Sequence, residues 1–337
     1  KYDINLLLIV KKNKKKLYFI TGIAGMIGST ILPKVLKKKN SVIIGIDNFK
    51  LGKIKFIKKY LKNKNFYFFK LNLDKNFRNK KLDNLLKKNH LMEVWHLAAN
   101  SDIQSGVKDP NVDYRDTFLT TFNLIKVIKP YLNKETKFIF SSSSAIYGNL
   151  KTKIHEKSAP YMPQSNYGAM KLASEGIISS FSFSNNIKSF IFRFPNVVGT
   201  NLTHGVIYDL SKKILSRSND LKVLGNGNQR KPYSSVDEVI DCMIYLVKNK
   251  SKDNVNFYNI GTNDKGVKVK DIVKMLVKKF NYQKKIIYEK NNIGWKGDIP
   301  HYSYSTSKME KKGFKFRLSS KLALKNTIDS ISKKTLY

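Results

Sequence analysis

Three evenly spaced glycines near the amino terminus restrict what this chain can fold into. Gly22, Gly25 and Gly28 form a G-x-x-G-x-x-G motif between the apolar segment 17–20 and a helical segment that runs to about residue 39. With 18 glycines in 337 residues, about 0.05 matches to this spacing are expected by chance. Glycine permits a tight turn and lets backbone N–H groups approach a pyrophosphate at a helix N-terminus. The motif predicts a dinucleotide-binding turn; the alternative is a tight turn without a ligand.

An acidic residue at the end of the next strand bears on the cofactor. The segment 41–47 reads as a strand and ends in Asp47, which lies 19 residues after Gly28. A carboxylate at this place can accept hydrogen bonds from both hydroxyls of an adenosine ribose, and it would repel a 2′-phosphate. The pattern therefore predicts NAD rather than NADP, with an ordinary surface aspartate as the alternative.

Strand-like and helical segments alternate through the first half of the chain. This rhythm is typical of an α/β fold, and it predicts a Rossmann-like, doubly wound parallel sheet with helices on both faces. Beyond about residue 196 the rhythm is less regular, which predicts a smaller mixed lobe over the carboxyl edge of the sheet. The predicted strands are 17–20, 41–47, 66–71, 94–99, 137–141 and 189–194.

Three parts of the chain are predicted from this organisation. The Lys-rich start, residues 1–16, is expected to be a basic arm. Residues 17–195 are expected to form the NAD-binding domain, with the helix near 236–248 packed back on it. Residues 196–330 are expected to form a substrate-binding lobe.

The composition is strongly basic. The 64 lysines and arginines outnumber 24 aspartates and glutamates, for a formal charge of +40. Such a charge is compatible with nucleic-acid or anionic-membrane binding. Only six of the 64 are arginines, and arginine is the usual reader of phosphates and base edges. The lysines are scattered along the whole chain among abundant Asn, Ile, Phe and Tyr, which favours compositional drift over a specific nucleic-acid partner.

The sequence gives no support for a disulfide, a metal site or a membrane span. The single cysteine, Cys242, rules out an internal disulfide and fits a reducing cytoplasm. The five histidines form no close pair, so no metal site is predicted. No apolar run reaches the roughly 18 residues that span a bilayer; the longest near the amino terminus, Ile4 to Val10, has seven. We therefore expect a cytoplasmic protein without a membrane partner.

A tyrosine and a lysine are candidates for acid–base chemistry. The pattern Y-x-x-x-K occurs five times, so the pattern alone is uninformative. Position singles out Tyr167 and Lys171, because they open the helix that follows the fifth strand and share one helical face. The serine run 141–144 closes that fifth strand, where catalytic groups of such sheets gather. A polar strand end without a catalytic role is the alternative for the serines.

Taken together, five motifs resemble those of a known family. They are Thr21-Gly22-x-x-Gly25-x-x-Gly28, His96-Leu97-Ala98-Ala99, Ser141 to Gly148, Tyr167-Gly168-x-x-Lys171 and Arg193 to Gly199. Their order and spacing are similar to those of the extended short-chain dehydrogenases/reductases, specifically the nucleotide-sugar epimerases and dehydratases. The resemblance extends from residue 17 to about residue 330.

The resemblance implies a set of catalytic and cofactor residues. Tyr167 would be the acid/base, and Lys171 would favour its phenolate and hold the nicotinamide ribose. Ser143, counted back from Tyr147-Gly148, would hydrogen-bond the reacting sugar hydroxyl; a count that is off by one would give this role to Ser142 or Ser144. A tyrosine that works near pH 7 needs its pKa lowered by roughly 3 units, which two cations, Lys171 and the oxidised nicotinamide, would supply. The implied cofactor-binding residues are Gly22, Gly25, Met26, Ile27, Gly28, Asp47, Asn48, Asn72, Leu73, Leu97, Ala98, Ala99, Tyr167 and Lys171.

The resemblance also implies contacts with a nucleotide-sugar substrate. Asn196 and Arg230 would touch its diphosphate, because the planar guanidinium matches phosphate oxygens. Asp298 matches an acid of a substrate loop. In this chain Trp295 stands where many relatives have arginine, so that one diphosphate contact is lost or comes from a lysine. Asn72 stands where an aspartate near the adenine is usual.

The residues after Ser143 bear on the reaction type. Dehydratases of the family carry an acid pair there, whereas this chain has Ser144 and Ala145. The resemblance therefore favours 4-epimerisation through a 4-keto sugar, without net redox change, as in the UDP-glucose 4-epimerase branch. A reductase, decarboxylase or dehydratase of the same family is an alternative, and so is a nucleic-acid-binding protein on an enzyme-like scaffold. The resemblance further implies a homodimer through the helices near 113–130 and 165–183.

Overall fold

A computed structural model describes residues 14–150, 152–216, 220–295, 297, 299 and 304–332. The predicted arm falls mostly outside these residues, because its first 13 positions are not among them. The strands are β1 (Lys16–Thr21), β2 (Ser41–Asp47), β3 (Phe66–Lys70), β4 (His90–His96), β5 (Lys137–Ser143), β6 (Lys188–Phe194), β7 (Asn196–Val198), β8 (Leu221–Val223), β9 (Arg230–Lys231), β10 (Tyr233–Ser235), β11 (Val255–Asn259), β12 (Val267–Lys268) and β13 (Ile286–Tyr288).

The central sheet has seven parallel strands in the order β11-β6-β5-β4-β1-β2-β3. The chain proceeds outward from β1 through β2 and β3, and then crosses back to β4 and proceeds the other way. The order therefore reverses between β1 and β4, which is where ligands bind in open α/β sheets. The prediction of a doubly wound parallel sheet is confirmed.

Helices cover both faces of this sheet. Residues Tyr114–Leu119 form a π-helical turn within the segment predicted as one helix over 113–130. The helices are α1 (Met26–Leu36), α2 (Lys80–Lys88), α3 (Ile103–Lys108), α4 (Pro110–Asp113), α5 (Thr120–Ile128), α6 (Asn166–Ser184), α7 (Val206–Leu215), α8 (Val236–Lys248), α9 (Val269–Phe280), α10 (Ser307–Lys311) and α11 (Ser320–Ser330).

Two apolar layers hold the sheet in place. On one face α1 and α8 bury side chains such as Ile31 and Met243 against the strands. On the other face α2, α5 and α6 bury Leu82, Leu124 and Ile178. Burial of each such side chain stabilises the fold by roughly 1.5–3 kcal/mol, so both layers fix the strands whose ends carry the site.

The second half of the chain is divided between the sheet and a smaller lobe. Strand β11, from the segment predicted as substrate lobe, pairs with β6 as an edge strand of the central sheet. The sequence analysis did not predict this strand, because Val255–Asn259 is short and mixes polar with apolar residues. Helices α7, α9 and α11 surround a separate apolar cluster that includes Ile214, Leu276 and Leu324.

Candidate active site

The glycine turn between β1 and α1 is tightly packed. Gly22 has a φ of +67°, and a Cβ there would lie 2.8 Å from the backbone nitrogen of Ala98. A Cβ on Gly28 would lie only 2.2 Å from the carbonyl oxygen of Gly22. Gly25 begins α1 and lines the cavity, and Gly22 O, 3.3 Å away, is the sole atom among the described residues near its ideal Cβ. A side chain on Gly25 would therefore fill space that is open to a ligand.

The start of α1 suits a negatively charged group. Its first turn contains no acidic residue, and Met26, Ile27 and Gly28 line the cavity. The first N–H groups of a helix have no intrahelical partner and carry a partial positive charge. A pyrophosphate fits this cradle.

The carboxylate of Asp47 is held in place by the backbone. It is buried, with 8% of its surface exposed, and accepts hydrogen bonds from Ala24 N at 2.9 Å and Phe49 N at 2.8 Å. Burial raises its pKa, and these backbone hydrogen bonds oppose the rise. Two carboxylate oxygens have about four acceptor positions, so the side chain retains capacity for ribose hydroxyls. Asn48 lines the cavity beside it.

A buried histidine anchors the end of β4. His96 Nδ1 is 2.8 Å from Thr21 Oγ1, and Nε2 is 2.9 Å from Thr121 Oγ1. Burial lowers the pKa of His96 to about 3, so the ring is neutral and structural. This network positions the cavity-lining residues Leu97, Ala98 and Ala99.

Strand β5 and helix α6 bring the candidate catalytic residues together. Lys171 Nζ donates to the carbonyl oxygen of Ser141 at 2.6 Å and lies 5.8 Å from the centre of the Tyr167 ring. Ser143 forms a side-chain hydrogen bond with Tyr167. Ser143, Tyr167 and Lys171 all line the cavity. The helix begins one residue before Tyr167, where the Ser165 hydroxyl caps it by accepting from Gly168 N at 3.1 Å.

The electrostatics of this group differ from the expectation. Burial raises the pKa of Tyr167 to about 12, although the hydrogen bond with Ser143 opposes the shift. Burial also lowers the pKa of Lys171 to about 7, against the attraction of Glu175 and Asp113. The protein's own groups therefore favour a neutral phenol and weaken the ammonium that was expected to activate it. A low pKa for Tyr167 needs positive charge from a ligand.

A buried ion pair supports the same helix and was not predicted. Arg193 and Glu175 form two hydrogen bonds, of 2.6 Å and 2.9 Å, and both side chains are almost fully buried. Ser142 Oγ donates to Glu175 at 2.5 Å. Glu175 lies one helical turn beyond Lys171, so the pair fixes the rotation of α6 against β5 and β6. In the sequence, the i, i+4 spacing of Glu175 from Lys171 indicates only that both lie on one face of the helix.

The structure gives the predicted substrate residues different positions. Asn196 lines the cavity. Arg230 is half-buried in β9, and its Nη1 donates to the carbonyl oxygen of Gly266 at 3.2 Å, whereas its neighbour Lys231 lines the cavity. Successive side chains of a strand point to opposite sides, and the predicted contact of Arg230 with the diphosphate stays a prediction. Asp298 lies outside the described residues.

One predicted cofactor residue lies beside the residues that line the cavity. Asn72 is exposed, whereas Leu71, Leu73 and Asp74 line the cavity. The role of Asn72 near the adenine stays a prediction.

Two further residues of the substrate end were missed. Lys231 Nζ lies 4.7 Å from the centre of the Trp295 ring, and both residues line the cavity. His204 also lines the cavity, with its Nδ1 3.0 Å from Thr203 Oγ1. The cavity has a volume of about 880 Å³, in the upper part of the range for ligand sites, roughly 300–1,000 Å³.

The described part of the chain contains no group of three or more His, Cys, Asp or Glu side chains that would hold a metal ion. None of its helices is long and apolar enough to cross a bilayer.

A parallel sheet, a glycine turn at its switch point and a buried acid at the end of the second strand are typical of a dinucleotide-binding fold. Residues 18–261 match the NAD dependent epimerase/dehydratase family. A putative UDP-glucose 4-epimerase of Methanocaldococcus jannaschii is 26% identical over 316 residues, 92% of this chain and 96% of that protein. A dTDP-D-glucose 4,6-dehydratase of Dictyostelium discoideum is 28% identical over 77% of this chain and 61% of its own length.

Solved structures agree with this assignment. The UDP-glucuronic acid 4-epimerase of Bacillus cereus, in complex with UDP-glucuronic acid and NAD, superposes with a TM-score of 0.80 at 25% identity. The match covers 96% of this chain and 100% of that one. The chain belongs to the NAD-dependent epimerase/dehydratase family, and its cofactor is NAD.

Proposed function

We propose that this enzyme interconverts the epimers of a nucleotide sugar at carbon 4, with UDP-glucose and UDP-galactose as the substrate pair. The observation that supports the proposal is the convergence of Ser143, Tyr167 and Lys171 on a cavity that also contains the glycine turn. Bound NAD supplies a reversible electron-pair acceptor next to the sugar.

The protein's residues have separate roles in this proposal. Ser143 holds the 4-hydroxyl of the sugar through its side-chain oxygen. Tyr167, as its phenolate, accepts the proton of the 4-hydroxyl and later returns it to the same sugar oxygen, when carbon 4 is reduced again in the opposite configuration. Lys171, fixed by its hydrogen bond to the Ser141 carbonyl, provides positive charge beside the phenolate. Because the protein alone raises the pKa of Tyr167 to about 12, the phenol becomes an effective base only when cationic NAD lies beside it.

The cofactor end of the cavity is assigned by its contacts. The N–H groups at the start of α1 are proposed to hold the pyrophosphate of NAD. Asp47 is proposed to accept the adenosine ribose hydroxyls, since its carboxylate is already oriented by two backbone donors. A buried carboxylate disfavours a 2′-phosphate, which supports NAD as the preferred form.

We assign the substrate diphosphate to Asn196 and Lys231. Lys231 takes the place that the sequence analysis gave to Arg230, because its side chain reaches the cavity and that of Arg230 does not. Stacking on Trp295 holds the Lys231 ammonium at the wall. A lysine binds phosphate as a point charge rather than through a planar fork.

The absence of an acid pair after Ser143 favours epimerisation over dehydration. Ser144 and Ala145 both line the cavity next to Ser143. Neither side chain carries a carboxyl group to remove a proton from carbon 5 or donate one to a departing hydroxyl. The neighbourhood of Tyr167 thus supports proton exchange at one hydroxyl only.

The test is incubation of dialysed enzyme, without added cofactor, with a panel of UDP-, dTDP- and GDP-sugars, followed by chromatographic separation of the products. The proposal predicts interconversion of UDP-glucose and UDP-galactose with many turnovers per enzyme. Loss of water from the sugar would show a dehydratase, and a requirement for stoichiometric NADH would show a reductase. Either result would contradict the proposed reaction.

A further inference from the structure

Many lysines of the chain lie along the edge of the sheet that is opposite the cavity. In a parallel sheet every loop that leads into a strand arrives at the same edge, which we call the amino edge. The segments that lead into the seven strands, with adjoining helix ends and first strand residues, are 14–16, 37–40, 61–65, 87–89, 129–137, 185–188 and 248–254.

These segments differ in composition from the rest of the chain. They contain 17 lysines, no arginine and two acids, Glu135 and Asp253. The remainder of the sequence has 47 basic and 22 acidic residues. The ratio is thus about four times higher at the amino edge, so the fold concentrates charge that is scattered in the sequence. The lysines are Lys14, Lys15, Lys16, Lys37, Lys38, Lys39, Lys62, Lys64, Lys87, Lys88, Lys129, Lys134, Lys137, Lys188, Lys248, Lys250 and Lys252.

Most of these side chains face solvent. All are exposed except Lys38, Lys137 and Lys188, which are half-buried. Lys137 Nζ donates to the carbonyl oxygen of Val247 at 2.6 Å, and Lys188 Nζ donates to that of Lys252 at 2.7 Å. Each ammonium has three N–H groups, so both are positioned and keep donors for an anion.

A recess lies near the β11 end of this edge. It has a volume of about 550 Å³ and is lined by the two positioned lysines, by Phe190, and by the segment 248–252, which contributes three further lysines. Two of these lysines also act on Lys38 nearby: burial is the main cause that lowers the pKa of Lys38, Glu93, bonded to it at 3.1 Å, raises that pKa, and Lys248 and Lys137 lower it through charge repulsion. A bound anion would relieve that repulsion.

The residue types favour a lipid surface over a nucleic acid. Arginine and stacking aromatic groups are typical of nucleic-acid sites, and the amino-edge segments contain no arginine. Lysine point charges suffice to attract the anionic surface of a bilayer, at about 1 kcal/mol for each lysine near it. Leu61, an apolar residue in one of the segments, is 38% exposed at the same edge.

We infer that the amino edge binds the surface of a membrane rich in anionic lipids, with the active-site cavity facing away from it. This departs from the prediction that no membrane partner is involved. The inference does not depend on the reaction the enzyme catalyses.

The test compares two variants of equal charge by co-sedimentation with vesicles. The amino-edge variant is K37E/K39E/K250E/K252E. The matched control, K274E/K278E/K321E/K325E, changes four exposed lysines of α9 and α11. Both lower the formal charge from +40 to +32. Sugar-nucleotide turnover is measured for both, since neither set of residues belongs to the site.

The expected result is binding of the full chain to phosphatidylcholine vesicles that contain about 30% phosphatidylserine, and none to phosphatidylcholine alone. The amino-edge variant should bind at least about tenfold more weakly, and the control within about twofold of the unaltered protein. An equal loss in both variants would overturn the inference, because bulk charge would explain it. The inference would also be overturned if the unaltered protein bound single-stranded RNA but not the vesicles, and if the amino-edge variant lost the RNA binding. That result would indicate a nucleic-acid partner.

Discussion

The two ends of the cavity are built differently. The cofactor end comes from the first hundred residues, where the glycine turn, Asp47 and the end of β4 are each fixed by backbone contacts. The substrate end is assembled from Asn196, Lys231 and Trp295, which are far apart in sequence and lie on short strands or loops. Backbone geometry therefore determines one end, and the packing of distant segments determines the other.

The largest effect is expected where the two ends meet. Tyr167→Phe removes the phenol oxygen that exchanges the proton, so turnover should fall by about 10²- to 10⁴-fold. Binding of NAD, measured by titration of the dialysed protein, should change little. Tyr60→Phe is the control, because Tyr60 begins another Y-x-x-x-K pattern outside the cavity. Equal turnover in the two variants would refute the role of Tyr167.

At the cofactor end, Gly28→Ala is expected to disrupt both folding and NAD binding. Its Cβ would overlap the carbonyl oxygen of Gly22 and the Cα of Ile23. Because both atoms belong to the backbone, the turn must shift, at a cost of about 1–3 kcal/mol in the free energy of unfolding. The measurement is denaturant unfolding together with NAD titration.

Gly176→Ala is the matched control for that variant. Gly176 lies on the exposed side of α6, and no heavy atom of the described residues lies within 4 Å of its ideal Cβ. Alanine should therefore stabilise the helix, by about 1 kcal/mol or less. If both variants lose stability equally, the tight packing of the glycine turn is not the cause.

At the substrate end, Lys231→Ala should raise the KM for the nucleotide sugar by about 10- to 100-fold, since a charge-assisted hydrogen bond contributes roughly 1.5–3 kcal/mol. The value of kcat should change less. Arg230→Ala should leave KM within about twofold, because its guanidinium bonds Gly266 outside the cavity. The reverse order of effects would restore the original prediction for Arg230.

The same contrast between local geometry and the packing of distant segments explains which features the sequence could predict. The G-x-x-G-x-x-G turn and Asp47 could be placed because a strand–turn–helix unit has one local geometry. The ligand contacts of Arg230 and Asn72 stay predictions, because a single sequence does not show to which side of the chain each side chain points. The Arg193–Glu175 pair joins β6 to α6, and nothing in a single sequence shows that two such residues face each other.

The charge of the chain illustrates the same limit. Lysines that are scattered in the sequence look like compositional drift, and only the strand order shows that seven segments end at one edge. The seventh of them leads into β11, which the sequence analysis did not predict. Whether scattered lysines form one charged surface therefore depends on the topology of the sheet, and composition alone does not show it.

The last prediction concerns the pH dependence of stability and Lys171, which lies between the two ends. In the native state burial lowers its pKa to about 7, whereas an unfolded lysine has a pKa of about 10.4. Between these values the unfolded state binds one more proton than the native state, so Lys171 makes stability rise with pH by up to about 1.4 kcal/mol per unit. Below about pH 7 both states are protonated, and the destabilising contribution of the buried charge is fully present.

Lys171→Met keeps the apolar stem and removes the titrating group. Unfolding by denaturant at several pH values from about 7 to about 10 should therefore show a slope smaller by about one proton in the variant than in the unaltered protein. The difference between the two slopes isolates Lys171 from the other groups that titrate in this range. Equal slopes would mean that Lys171 stays charged in the native state. In that case the ammonium beside Tyr167 would be available to the phenol even without a ligand, and the cofactor end would not be needed to activate it.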